Sequence, residues 1–138
     1  MEPIVYLDRS RIRPGRFEEV KRAIDEVVAF IDEREPQLLY YGFHLDEAEQ
    51  RMTVVAVHPD AASVELHLDV GREAFRGFAD LIEMEAMEVY GEPSERMLEQ
   101  MHDKAQALGA ATRIITDPAY AGFSRLAATG VAAGWDDS

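Results

Sequence analysis

The chain has 138 residues, 47% of them hydrophobic, with 27 acidic against 14 basic side chains and a formal net charge of -13. That is enough chain for one domain with a real core, and too apolar a chain to be disordered. So acidic a surface repels phosphate backbones and anionic bilayers, so neither nucleic acid nor a membrane is expected as a partner. The absence of cysteine excludes disulfides, zinc–thiolate sites and thiol nucleophiles. The opening MEPIVYLDRS lacks the basic region and apolar run of a signal peptide. No apolar run approaches the ~20 residues that span a bilayer. A cytoplasmic location is the expectation.

Pro3 to Ile12 predicts a first strand. Ile4, Tyr6, Asp8, Ser10 and Ile12 share one face, and Val5, Leu7, Arg9 and Arg11 the other. Both faces start apolar and turn polar, so the strand is expected to be buried at its start and wetter at its end. After a Pro14-Gly15 turn the period lengthens. Phe17, Val20, Ile24, Val27, Val28 and Ile31 form a helical stripe within Arg16 to Glu35. Pro36 ends it. Gln37 to Asp46 is a second strand, with Leu39, Tyr41, Phe43 and Leu45 opposite Leu38, Tyr40, Gly42 and His44. The polar run from Glu47 to Gln50 is a hairpin loop. It leads into a third strand, Arg51 to His58, paired antiparallel. There Met52, Val54, Ala56 and His58 lie opposite Thr53, Val55 and Val57.

Asp60 has the chemistry of a helix N-cap. Val64, Leu68 and Phe75 make the apolar stripe that follows, and Gly71 splits the helix in two. Ile82 to Tyr90 reads as helix or strand; a strand over Ala86 to Tyr90 is assigned, because Gly91-Glu92-Pro93 closes it. Glu92 or Ser94 caps a further helix with the stripe Met97, Leu98, Met101, Ala105 and Leu108, ended by Gly109. Thr112 to Thr116 is a short strand, and Ala119 to Leu126 a last extended segment around Phe123. Residues 1–126 are expected to form one domain. Residues 127–138 are expected to be a loosely held tail, with Trp135 free to dock.

The first six elements run strand, helix, strand, strand, helix, strand. This is the split pattern of a ferredoxin-like α+β fold, with both core helices on one face of an antiparallel sheet. The extra helix and strand follow it. Because the second and third strands are apolar on both faces, a patch remains on the face without helices and needs a cover. The C-terminal extension or a second copy of the chain would serve, and a two-fold homodimer is the expected partner arrangement.

The stretches SRIRPGRFEEV, MTVVAVHPDAASVELHL and FRGF resemble the dimeric α+β barrel superfamily, and within it the antibiotic biosynthesis monooxygenase-like proteins. The resemblance covers Ile4 to Tyr90. The stretch from VYGEPSERMLEQM to AGFSRL resembles an extension in an uncharacterised branch. It implies a homodimer with a hydrophobic cavity between sheet and helices. It also implies, for some members, oxidation of aromatic polyketides or quinol-like substrates by oxygen without a bound cofactor. Other relatives degrade haem or decompose chlorite. The polyketide oxidases use Asn and Trp around the substrate; this chain has no Asn, and its one Trp is Trp135. No catalytic residue is carried over. His67 falls where the family has a helix histidine.

The catalytic candidates are His44, His58 and His67. His44 and His58, on neighbouring strands, could meet Glu83, Glu85 or Glu88 for acid–base or metal chemistry. No recognised ligand spacing joins them, and no metal or cofactor is expected. His58 before Pro59 also suits a strand end bonded to a loop. His67, between Leu66 and Leu68, suits a helix surface or dimer contact better than a haem. The walls of a cavity for a small apolar or aromatic ligand are assigned to Tyr6, Tyr40, Tyr41, Phe43, Met52, Met84 and Met87. Arg9 and Arg11 stand at its mouth or pair with surface carboxylates. A non-catalytic ligand-binding or protein-interaction dimer is the alternative function.

Overall fold

The computed structural model describes residues 2–126; the 127–138 tail, Trp135 included, lies outside the described residues. The elements in order are β1 (Ile4–Ile12), α1 (Phe17–Arg34), β2 (Tyr40–Asp46), β3 (Arg51–His58), α2 (Ala61–Val70), α3 (Arg72–Arg76), β4 (Ile82–Tyr90), α4 (Glu95–Leu108) and β5 (Arg113–Asp117). They build one five-stranded sheet in the order β2-β3-β1-β4-β5. The first four strands pair antiparallel, as a ferredoxin-like fold requires, and β5 joins β4 in parallel. A parallel neighbour needs a long crossover, and α4 is that crossover.

Local chemistry sets the boundaries. Asp60 accepts a hydrogen bond from the Ser63 N–H at 2.9 Å and caps α2. Ser94, not Glu92, caps α4, accepting from the Met97 N–H at 3.1 Å. Gly71 ends α2 and leads into α3. Gly91 turns the chain out of β4 at φ 139, where a side chain would be strained. Helix α1 buries Val20, Val27 and Ile31 against the sheet. Full burial of such side chains contributes about 1.5–3 kcal/mol each.

Three expectations change. Strand β4 begins at Ile82 rather than Ala86. Its register against β1 shifts between Arg9 and Ser10, where Arg9 faces Ala86 and Ser10 faces Met84. The extra residue of this bulge changes which alternate side chains point to the helices. Ile82 and Met84 share the buried face with Met87 and Val89, although simple alternation separates the two pairs. The Ala119 to Leu126 segment adds no strand, and Tyr120 and Phe123 stand exposed. Finally, among the described residues, the C-terminal extension does not cover the far side of the sheet. Helix α4 packs against α2 and β4, on the same side as the other helices, and β5 only widens the sheet.

The helix-covered face holds the core, from Ile4, Tyr6 and Ile12 of β1 to Met97, Met101 and Leu108 of α4. The opposite face carries Val5, Leu7, Val55 and Val57, all partly exposed, with Tyr40 and Tyr90 more so. No described helix is long and apolar enough to cross a membrane.

Candidate functional site

Between the sheet and the helices lies a chamber of about 30 Å³, enough for a water molecule or two. Tyr6 and Asp8 enter it from β1, Tyr41 and Phe43 from β2. His67 closes it from α2, and Phe75 and Lys104 close it from α3 and α4. Phe75, Lys104 and Leu108 also line a second, more open cavity of about 370 Å³ between α2, α3 and α4. Those three side chains are the partition between an inner chamber and an outer vestibule.

The inner chamber is apolar on most sides and polar at specific points. Asp8 is buried, and its Oδ2 accepts from the Lys104 ammonium at 2.7 Å. The Lys104 ammonium also sits 4.2 Å from the centre of the Phe75 ring and 5.5 Å from that of Tyr6, so aromatic faces share its charge. Among the described residues, Asp8 Oδ1, the Tyr6 hydroxyl and the Ser10 Oγ on the same strand face make no hydrogen bond of ordinary geometry, although the Tyr6 hydroxyl is near enough to the Asp8 carboxylate to interact with it. Burial, followed by the neighbouring Asp8 carboxylate, raises the Tyr6 pKa well above its ordinary value. Burial likewise raises that of Tyr41. Both phenols are therefore neutral donors at physiological pH.

Two histidines meet behind this wall, their ring centres 5.3 Å apart. The His67 Nδ1 donates to both oxygens of the buried Glu35 carboxylate, at 2.9 and 3.0 Å. That contact fixes the tautomer and leaves Nε2 as the basic nitrogen. It is the geometry of an oriented general base: an imidazole held by a carboxylate, with its free nitrogen beside a chamber. His58 is arranged differently. Its Nδ1 lies 2.7 Å from Ser63 Oγ, and that oxygen accepts from Gln37 at 3.2 Å. His58 Nε2 has no partner among the described residues. Burial, helped by His67 and Lys104, pushes the His58 pKa down to about 3. His58 is therefore neutral at physiological pH. The assembled groups can take a proton at His67 Nε2 and stabilise an oxyanion with Lys104 and the Tyr6 hydroxyl.

The candidates named from sequence separate by strand face. Tyr6, Tyr41, Phe43, Met52 and Met84 line the chamber with His67, while Met87 is buried in the core and does not line it. Tyr40, Arg9 and Arg11 are on the other side of the sheet, because strand alternation sends them there. Arg9 pairs with Glu88, which also accepts from Tyr90, and Arg11 pairs with Glu83 at 3.0 Å. His44 is on that far face too, bonded to the Tyr40 hydroxyl at 3.1 Å. It therefore does not meet His58, which faces the helices. His67 is only 3% exposed, inside the core rather than on a helix surface. Among the described residues, no cluster of three or more His, Asp or Glu is placed to hold a metal ion.

Asp8, Glu35 and Lys104 escaped the sequence reading as site residues. A signal existed for two of them. Asp8 shares its strand face with Ile4, Tyr6 and Ile12, and Lys104 follows Met97 and Met101 at helical spacing on the buried stripe of α4. A charged residue at a core-facing position must find a partner there.

No protein-family model matches the sequence, and no curated protein does. Solved structures do match. MupZ from Pseudomonas fluorescens superimposes with a TM-score of 0.68 at 18% identity, over 91% of this chain and 96% of that one. A conserved protein from Methanosarcina mazei Go1 gives 0.57 at 19% identity, over 65% of this chain and 92% of its own. A presumed antibiotic biosynthesis monooxygenase from Bacteroides thetaiotaomicron gives 0.54 at 23% identity, over 64% and 85%. The chain thus shares the ferredoxin-like α+β fold of these structures. The last two matches are about as long as the unit from β1 to β4. The MupZ match is long enough to require α4 and β5 as well.

Proposed function

We propose that the protein is a homodimer that takes a small apolar or aromatic molecule into the helix-side cavities, its body in the vestibule and its reacting end at the inner chamber, and oxidises it there, in the cytoplasm, without a bound cofactor. The observation that carries this reading is the pair of buried polar atoms without partners among the described residues at an otherwise apolar chamber: Tyr6 Oη and Asp8 Oδ1. An unsatisfied buried polar group costs about 1–3 kcal/mol. Such groups, gathered at one cavity, suit a ligand that supplies the missing bonds. The neighbouring Bacteroides thetaiotaomicron structure, named as a presumed antibiotic biosynthesis monooxygenase, supports a small-molecule role.

The chemistry follows from the residues. His67 Nε2 removes the proton of a phenol or quinol, Glu35 stabilises the imidazolium, and Lys104 with Tyr6 holds the resulting oxyanion. A quinol anion is electron-rich enough to reduce dioxygen: quinol and O₂ give quinone and hydrogen peroxide. The test is a thermal-shift screen with hydroxylated aromatics and quinols, followed by oxygen consumption for the binders. Stabilisation with oxygen uptake that Lys104→Met and His67→Asn abolish supports the proposal. Binding without uptake favours the second reading, a non-catalytic ligand-binding or interaction dimer. The small volume of the inner chamber as it stands speaks for that second reading.

For the dimer, Val5, Leu7, Val55 and Val57 form an apolar area on the sheet face that neither helices nor extension cover among the described residues. Light scattering should give about twice the 15.5 kDa chain mass. A clean monomer at micromolar concentration contradicts the assembly.

A further inference from the structure

The inner chamber is too small for an aromatic ring, whereas the vestibule beside it, at about 370 Å³, is within the usual range of ligand pockets. A ligand must therefore lie mainly in the vestibule, with only its reacting end passing Phe75 and Lys104. The charge of the vestibule is unlike that of the molecule. The chain as a whole carries -13, yet the vestibule is lined by Arg72, Arg76 and Lys104 against the single acid Asp103. Lys104 is neutralised by Asp8. Arg76 reaches Glu73 only at 3.5 Å, in an exposed pair that solvent screens. Among the described residues Arg72 forms no ion pair; it attracts Asp69 through space, and that carboxylate is held by Arg96 at 2.8 Å. Two guanidinium groups one helical turn apart on α3 thus face an open cavity with little to bind.

We propose that the ligand is an amphipathic anion. Its carboxylate, or an equivalent oxyanion, sits on Arg72 and Arg76 in the vestibule, and its apolar, hydroxyl-bearing end reaches past Phe75 to Asp8, Lys104 and His67. Guanidinium groups match planar carboxylates with paired hydrogen bonds, which an ester or amide cannot accept as well. Phe75 is the partition that the ligand's end passes. Its ring separates the two cavities and lies against Gly71, where an added Cβ would come within 2.3 Å of it. Gly71 leaves that ring room to sit where it does. This inference rests on the proposed function of the inner chamber and names the class of ligand that the same site takes.

The test uses matched probes, a hydroxynaphthoic acid and its methyl ester, titrated calorimetrically into the full chain. The acid should bind at least tenfold more tightly than the ester. Arg72→Gln with Arg76→Gln should remove that preference and leave the ester's affinity unchanged, and the preference should shrink as salt rises. Both substitutions are on exposed side chains, so the variant keeps its fold. Equal affinity for acid and ester in the wild type, or a preference that survives the double substitution, overturns the anion inference while leaving chamber binding intact. Failure of both probes to bind overturns the proposed function and the inference with it.

Discussion

Lys104→Met is the most informative single substitution for the energetics of the site. It removes the cation opposite Asp8 and keeps an apolar stem of similar length. The two side chains are 5% and 11% exposed and meet at 2.7 Å. At an effective dielectric constant of about 20, the attraction over that distance is about 6 kcal/mol gross. Desolvation of both ions offsets most of it. Removing one partner is a different matter, because it strands a buried carboxylate. The expected loss is about 3–5 kcal/mol. Replacing both, Asp8→Leu with Lys104→Met, leaves no charge behind and should lie within about 1 kcal/mol of wild type. Urea denaturation at neutral pH, followed by circular dichroism, reads each value. A loss below about 1 kcal/mol in the single variant, or a double variant as unstable as the single one, refutes the account of a buried, mutually dependent pair.

Other outcomes follow from individual contacts. The depressed pKa of His58 makes stability pH-dependent. Above its unfolded value of about 6.5 its contribution is complete; as pH falls toward about 3, the unfolded chain takes up a proton that the folded chain refuses. Stability should therefore drop through that window by an amount on the order of 5 kcal/mol, and His58→Phe should flatten the slope in denaturation measured from pH 7 downward. Gly109→Ala should destabilise by about 2–3 kcal/mol in thermal melts, since the new Cβ would come within 2.3 Å of the Met84 carbonyl oxygen on the β4 backbone. Asp60→Ala removes the cap on α2 and should lower stability by about 1 kcal/mol in the same assay.

How much of this was legible in the chain depends on the range of the interaction. Pro36, Asp60, Gly71 and Gly109 act within a turn of their own position, and each marks a boundary where the sequence places one. The order of elements carries the ferredoxin-like sheet, because few topologies join those segments with short connections. The β4 bulge could not be read: Ile82 and Met84 are out of phase with Met87 and Val89 by one residue, and only pairing with β1 shows that the strand absorbs it. The strand faces were legible as alternating sets, but not which set meets the helices. That ambiguity put Tyr40, Arg9 and Arg11 in one group with Tyr6, Tyr41 and Phe43, when the sheet separates them. His67 reads as a surface residue because Leu66 and Leu68 flank it; it is the contact to Glu35, 32 residues away, that makes it an oriented base. Asp8 and Lys104 are 96 positions apart, and no local pattern joins them.

The central claim is that the chamber beside Tyr6, Asp8, Lys104 and His67 is where a ligand binds. Methionine methyl resonances report on it directly, since Met52 and Met84 line the chamber and Met97 is buried under α4 away from it. On titration with a hydroxylated aromatic acid, the methyl signals of Met52 and Met84 should shift with saturation, and that of Met97 should stay in place. Saturable binding that moves Met97 and leaves Met52 and Met84 unchanged would contradict the account.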